Sequence, residues 1–175
     1  WFFWKEILIN PKKDFEIETR IKQSKGVDNY GYGLIWGAEN ANNCYHFNVS
    51  SNGYYIVYKY QDGTYTKLTE WKKSKKINPM GEYNKLMIKK EGKKIYFYVN
   101  DDEVFKTKFE PIFGNYNGFS LNRRMVINVD YLEIRQDGME LILVDNAING
   151  YVKENLGKNV NSSVADILPV ISPDG

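Results

Sequence analysis

"YHFNVSSNGYYIVYKYQDGTY", residues 45–65 of a 175-residue chain, decides the fold. Successive side chains of an extended strand point to opposite faces, so Tyr45, Phe47 and Val49 share one side and His46 and Asn48 the other. Asn52-Gly53 and Asp62-Gly63 interrupt the run, and both pairs tolerate the positive φ values that tight hairpins demand. The stretch therefore reads as three strands joined by two hairpins. The same period extends outward in both directions. It predicts strands near 1–9, 14–22, 30–37, 43–50, 54–60, 64–70, 84–90, 94–100, 103–109, 116–121, 125–135 and 139–145. In "KIYFYVN" (94–100), Ile95, Phe97 and Val99 oppose Tyr96, Tyr98 and Asn100. Glu91-Gly92 and Asn100-Asp101 are turn pairs of less ideal chemistry. No long segment shows helical spacing. Short strands with turn signals every 8 to about 12 residues predict an all-β, two-sheet antiparallel sandwich.

The totals narrow the function. Net charge is +2 with 26% charged residues, so no strong field calls for nucleic acid or an anionic membrane. The densest basic run, "WKKSKKINP" (71–79), reads as a solvated loop. No apolar stretch approaches the ~18 residues of a membrane span. Cys44 is the single cysteine, which rules out an internal disulfide. The chain begins at Trp1 without a secretory leader and stops on Pro173-Asp174-Gly175, a turn signal. A piece of a longer protein is therefore expected. Composition shifts after residue 135. One more strand in "ELILVDN" precedes a connector rich in Asn, Ser and Gly, which sets domain bounds of 1–135 and 136–175.

Three constellations invite chemistry. "DFEIETR" (14–20) places Asp14, Glu16 and Glu18 on alternate positions, and paired carboxylates are what glycoside hydrolysis needs. The same alternation sends Phe15, Ile17 and Ile21 inward and leaves Glu16, Glu18, Arg20 and Lys22 on a wet face, where the cations keep the acids ionised. Cys44 and His46 share a strand face, but neighbours there normally point in parallel, so a structural role is expected. A face of tyrosines and amides suits sugar rings, which stack on aromatics and hydrogen-bond at their edges. It suits ordinary cross-strand pairing as well. The candidate ligand-binding residues are His46, Asn48, Tyr58, Tyr60, Trp71, Asn122 and Arg123, each on an expected outer face or in a loop between strands. In the competing reading Tyr58 and Tyr60 pack under a neighbouring strand and Trp71 closes the sandwich edge.

Residues 1 to about 135 resemble the concanavalin A-like lectin/glucanase superfamily, in particular laminin-G-like jelly rolls of bacterial multidomain proteins. The stretches that carry the likeness run from "DFEIETRIKQ" through "YGLIWGAENANNCYHFNV" and "KKIYFYVNDDEVFKT" to "VDYLEI". The tail "ENLGKNVNSSVADILPVISPDG" is similar to the first turn of a TolB-like β-propeller, with "ISPDG" and Pro169 as its signature. The resemblance implies an exported envelope protein of a Gram-negative bacterium, in the periplasm or on the outer-membrane surface, with a jelly roll followed by a propeller. Catalytic members of the superfamily carry E-x-D-x-x-E or E-x-D-x-E, and the order in "DFEIE" fits neither. Relatives often hold a structural calcium at an acid in the last strand, here Asp130 in "VDYLEI". The alternative is that Asp130 accepts hydrogen bonds from a crossing loop. No other cofactor is implied.

Three functions are therefore open: a non-catalytic recognition or adhesion module for a glycan or envelope polysaccharide, a structural domain that positions the propeller or docks other envelope proteins, and a glycoside hydrolase. The tail makes its own prediction. A segment without its partner core buries too little apolar area to offset an ordering entropy of about 1–2 kcal/mol per residue. Limited proteolysis should cut beyond Gly157 in this chain and spare those sites in a full-length protein that contains the propeller. Equal protection in both would remove the propeller reading.

Overall fold

The computed structural model describes residues 1–122 and 124–136, all of them strand, turn or loop. Their twelve strands are, in order, β1 (Phe2–Glu6), β2 (Phe15–Lys25), β3 (Tyr32–Asn40), β4 (Asn43–Ser50), β5 (Tyr54–Gln61), β6 (Thr64–Lys67), β7 (Lys72–Lys73), β8 (Asn84–Glu91), β9 (Lys94–Val99), β10 (Asp102–Lys108), β11 (Tyr116–Leu121) and β12 (Val126–Gln136). The larger sheet runs β1-β11-β3-β4-β5-β6, with β7 also on β5, and the smaller runs β10-β9-β8-β2-β12. Every pairing is antiparallel. The expected strand at 139–145, the connector, the propeller turn and Arg123 lie outside the described residues.

Alternation builds the core as expected. Leu34, Trp36, Tyr45, Phe47, Val49 and Val57 of the larger sheet meet Phe15, Ile17, Ile21, Leu86, Ile88, Phe97 and Val99 of the smaller. Phe97, wholly buried, lies 5.3 Å from Phe47 and 5.5 Å from Trp36, so its ring ties the two sheets. Gly118 lets β1 lie close on β11, because a Cβ there would collide with the Phe3 carbonyl.

The turns differ in detail from expectation. Asp62-Gly63 has positive φ at both positions (50° and 74°), as predicted. Asn52-Gly53 does not, because only Gly53 (φ 92°) is left-handed. The loop there is three residues long, Ser50 opposing Tyr54, with Gly53 N–H donating to the Ser50 carbonyl at 2.9 Å. A third loop residue takes up the reversal, so Asn52 need not go left-handed. Asn100-Asp101 is the better hairpin, with φ of 50° and 70°. Its side chain explains why: Asn100 Oδ1 accepts the Lys85 N–H at 2.8 Å and Asn100 Nδ2 donates to the Lys76 carbonyl at 2.6 Å.

Strand bounds also shift: β2 runs on to Lys25, β3 covers Tyr32–Asn40, β7 was not expected, and two strands end early. The strand expected over 1–9 stops at Glu6, where the β11 partner ends at Tyr116. The strand expected over 64–70 stops at Lys67. Leu68 and Thr69 both donate their N–H to the Val57 carbonyl (2.9 and 3.0 Å), two residues against one. Such a bulge ends the ladder and turns the chain in a new direction. The chain rejoins the far end of β5 as β7, opposite Tyr54 and Tyr55.

Phe97→Ala should leave a cavity between the sheets and cost about 3–5 kcal/mol, read as a lower urea midpoint at unchanged slope. A loss below about 1 kcal/mol would show that Phe97 does not tie the sheets.

Candidate functional site

The two outer faces have opposite chemistry. On the smaller sheet, the acids of "DFEIETR" lie on the outer side at and just before β2, with Glu16 half-buried and Glu18 buried at 8% exposure. Lys89 Nζ lies 3.2 Å from Glu16 and 2.8 Å from Glu91. Arg135 lies 3.3 Å from Glu16, 3.6 Å from Glu18 and 2.6 Å from Glu133. Tyr131 donates its hydroxyl to Glu18 at 2.7 Å. A cleft of about 320 Å³ at one end of this face gathers Asp14, Glu16 and Glu91 with Lys89, Lys90 and Arg135. An acid catalyst needs a carboxyl that stays protonated. The hydrogen bonds from Lys90 and from the Gly92 N–H instead hold Asp14 below its ordinary value. This face is a lattice of paired charges.

Asp130 is part of the same pattern. Its carboxylate meets Arg20 at 2.6 Å, both half-exposed. The acid thus pairs with a guanidinium on the adjacent strand. Among the described residues no group of three or more acids, His or Cys is placed to hold a metal ion.

The outer face of the larger sheet is aromatic. Tyr65 of β6 lies 5.2 Å from Tyr58 and 5.6 Å from Tyr60, both on β5. Tyr58 stacks on His46 at 4.4 Å and 5°. Phe2 reaches from β1 to within 5.6 Å of His46 and stacks on Trp4, which touches Tyr116 at 5.8 Å. The layer thus crosses the sheet from one edge strand to the other.

Sequence reasoning placed His46, Asn48, Tyr58 and Tyr60 on one face, and the structure brings them together there. Their depths differ, however. His46 is 0% and Asn48 5% exposed, beneath the rings. Ser120 Oγ donates to Asn48 Oδ1 at 2.9 Å, and Asn48 Nδ2 donates to the Tyr58 hydroxyl at 3.3 Å. Since the Ser120 proton is spent on Asn48, its oxygen accepts from His46 Nδ1–H at 3.2 Å. That tautomer leaves Nε2 as an acceptor facing Cys44 Sγ at 3.3 Å. The chain ends at Tyr58, whose own O–H has no acceptor among the described residues. A ligand on this face would meet rings and the Tyr58 hydroxyl, while His46 and Asn48 support them from below.

Cys44 and His46 do meet, contrary to the parallel-neighbour expectation. Burial pushes the Cys44 thiol up to about 11 and His46 down to about 3, so both are neutral and the pair is inert as a nucleophile and base.

Trp71 comes just after the Leu68–Thr69 bulge and stands 42% exposed. A Cβ at Gly31 would lie 3.0 Å from its indole and 3.5 Å from Asn48 Cβ, so the ring rests on bare backbone beside Asn48. Asn122 donates its N–H to the Gly31 carbonyl at 3.2 Å, which brings it to the same end. Tyr65, Phe2 and Trp4 were not anticipated. Tyr65 sits in phase with Tyr58 and Tyr60 across a two-residue turn, and that register was the available signal.

No family model matches the sequence, and no curated protein does. Among solved structures, the chain is similar to carbohydrate binding module CBM66 from Bacillus subtilis at 18% identity and a TM-score of 0.57, covering 70% of this chain and 74% of that one. It is similar to sheep galectin-11 in complex with glycerol at 9% identity and TM-score 0.58, covering 76% and 96%. It also matches the GH43 protein BlXynB from Bacillus licheniformis at 13% identity and TM-score 0.54, over 70% of this chain but only 27% of that one. These likenesses show the fold, a jelly-roll sandwich.

His46 makes a pH prediction. Its folded-state value lies below the ordinary imidazole range, so between about pH 6.5 and 3 the unfolded chain binds a proton that the folded one excludes. Stability should therefore fall with pH across that window, by at most about 1.4 kcal/mol per unit. Comparing wild type with His46→Gln in urea at pH 7.5 and 4.5 isolates the effect. The variant should lose less stability on acidification, and an equal loss would show that His46 is charged in the fold.

Proposed function

We propose that this domain is a non-catalytic glycan-binding module whose site is the aromatic outer face of the larger sheet. One observation carries the reading: an aromatic layer backed by a hydrogen-bond chain that ends in an uncommitted Tyr58 hydroxyl. The rings offer apolar faces for C–H surfaces of sugars. The chain beneath fixes Tyr58, and successive bonds polarise its hydroxyl as a donor. Trp71 adds an exposed indole over Gly31 at one end. Such a surface is pre-formed, which limits the ordering cost of binding. The CBM66 and galectin likenesses are consistent with this use of the fold. A hydrolase is the weaker reading, because the carboxylates of the other face are held by cations. We further place the module outside the cytoplasmic membrane of a Gram-negative bacterium, joined to a propeller, on the sequence resemblance; fractionation of the source cells would test that setting.

A glycan array probed with the domain should show binding. For the best ligand, Trp71→Ala and Tyr65→Ala should each weaken affinity about 10-fold, equivalent to ~1.4 kcal/mol, while thermal midpoints change little because both rings are half-exposed. Binding untouched by both substitutions would put the site elsewhere. No binding to any glycan would sink the proposal. Separately, Asp14→Asn, Glu16→Gln and Glu18→Gln should leave polysaccharide hydrolysis unchanged at background. Activity lost on any of them would revive the hydrolase reading.

A further inference from the structure

Two residues past Asn122, which bonds the strand end beneath Trp71, stands a cation without a charged partner among the described residues. Arg20 is paired with Asp130, and Arg135 with Glu16, Glu18 and Glu133. Arg124 has no ion pair and no side-chain hydrogen bond among the described residues. It lies in the crossover from β11 to β12, exposed, and lines an open cleft of about 690 Å³ with Trp1, Leu121 and Asn122, while Trp71 stands outside that lining. Its backbone is left-handed at φ 61°, a conformation that costs an arginine energy. Its carbonyl is pressed on Gly26 (φ 112°), where a Cβ would collide with it. Strain of this kind persists only where surrounding structure imposes it, and it clusters at ligand clamps.

The placement is what matters. Asn122 N–H bonds the Gly31 carbonyl, and Gly31 lies under the Trp71 indole. Lys25 and Asp28, on either side of Gly26 in the sequence, are exposed as well. A free guanidinium is a planar fork of donors that matches a carboxylate bidentately.

We propose that this end of the face selects a carboxylate-bearing sugar: the uronate carboxyl docks on Arg124, its hydroxyls on Asn122, and the adjoining ring on Trp71. The proposal rests on the glycan-binding reading and adds the charge class of the ligand.

Polygalacturonate and its fully methyl-esterified form test it, because they share ring and linkage and the ester methyl removes the carboxylate charge. Titration calorimetry at low salt should show at least tenfold tighter binding of the acid form, narrowing as salt is raised. Arg124→Asn removes the charge while keeping a residue that tolerates positive φ, so the fold should hold. This variant should bring the two polymers to parity by weakening the acid form at least tenfold. Arg124→Lys should restore part of the preference. Equal binding of both polymers by the wild type, or a preference that survives Arg124→Asn, would overturn the proposal and leave glycan binding intact. Failure to bind any glycan on the array would remove both.

Discussion

Everything else in this domain hangs on the contact of Phe97 with Phe47 and Trp36 across the gap between the sheets. Each sheet alone would expose a row of large apolar side chains, and a sheet with one bare apolar face is not stable in water. The rings interdigitate at tilted and edge angles of 58° and 69°, the geometries that aromatic pairs favour. Once that register is set, period-two alternation dictates the outer faces. His46 must point away from the core because Tyr45 and Phe47 point into it. The smaller sheet obeys the same rule, with Glu16 and Glu18 outward because Phe15 and Ile17 are buried.

The two outer faces solve the same problem differently. Burying a polar group without a partner costs stability, and no side-chain nitrogen or oxygen among the described residues is buried unpaired. The smaller sheet meets this requirement with interleaved acids and bases near solvent. The larger sheet meets it with a single file of hydrogen bonds under a layer of rings. The first arrangement cancels its own field and leaves little for a ligand to grip. The second leaves apolar ring faces and tyrosine hydroxyls, that of Tyr58 among them, without acceptors among the described residues.

Much of this was legible in the sequence. Alternation in "YHFNV" and "KIYFYVN" assigned both faces correctly, and the wet-side reading of "DFEIETR" came from the same period. The features that escaped were those set by contacts distant in sequence. His46 reads as an accessible imidazole until Phe2, Tyr58 and Ser120, brought in by other strands, close over it. Cys44 and His46 look parallel as neighbours on one strand, yet their side chains lean together within the network. The pairing of Asp130 with Arg20 was not legible either, because the two lie 110 positions apart. The bulge at Leu68–Thr69 has no marker in the sequence, since it depends on two N–H groups sharing the Val57 carbonyl.

That bulge constrains how this segment could change. Because a strand presents alternate residues to alternate sides, adding or deleting one residue between Lys67 and Trp71 would swing the indole off Gly31 and bring Glu70 or Lys72 to its place. Leu68 and Thr69 are held by identity as well, since Leu68 packs on the core and Thr69 Oγ1 accepts the buried Val57 N–H at 3.1 Å. Only exposed Glu70 is free to drift, and the number of residues in this short connection is fixed with the rest.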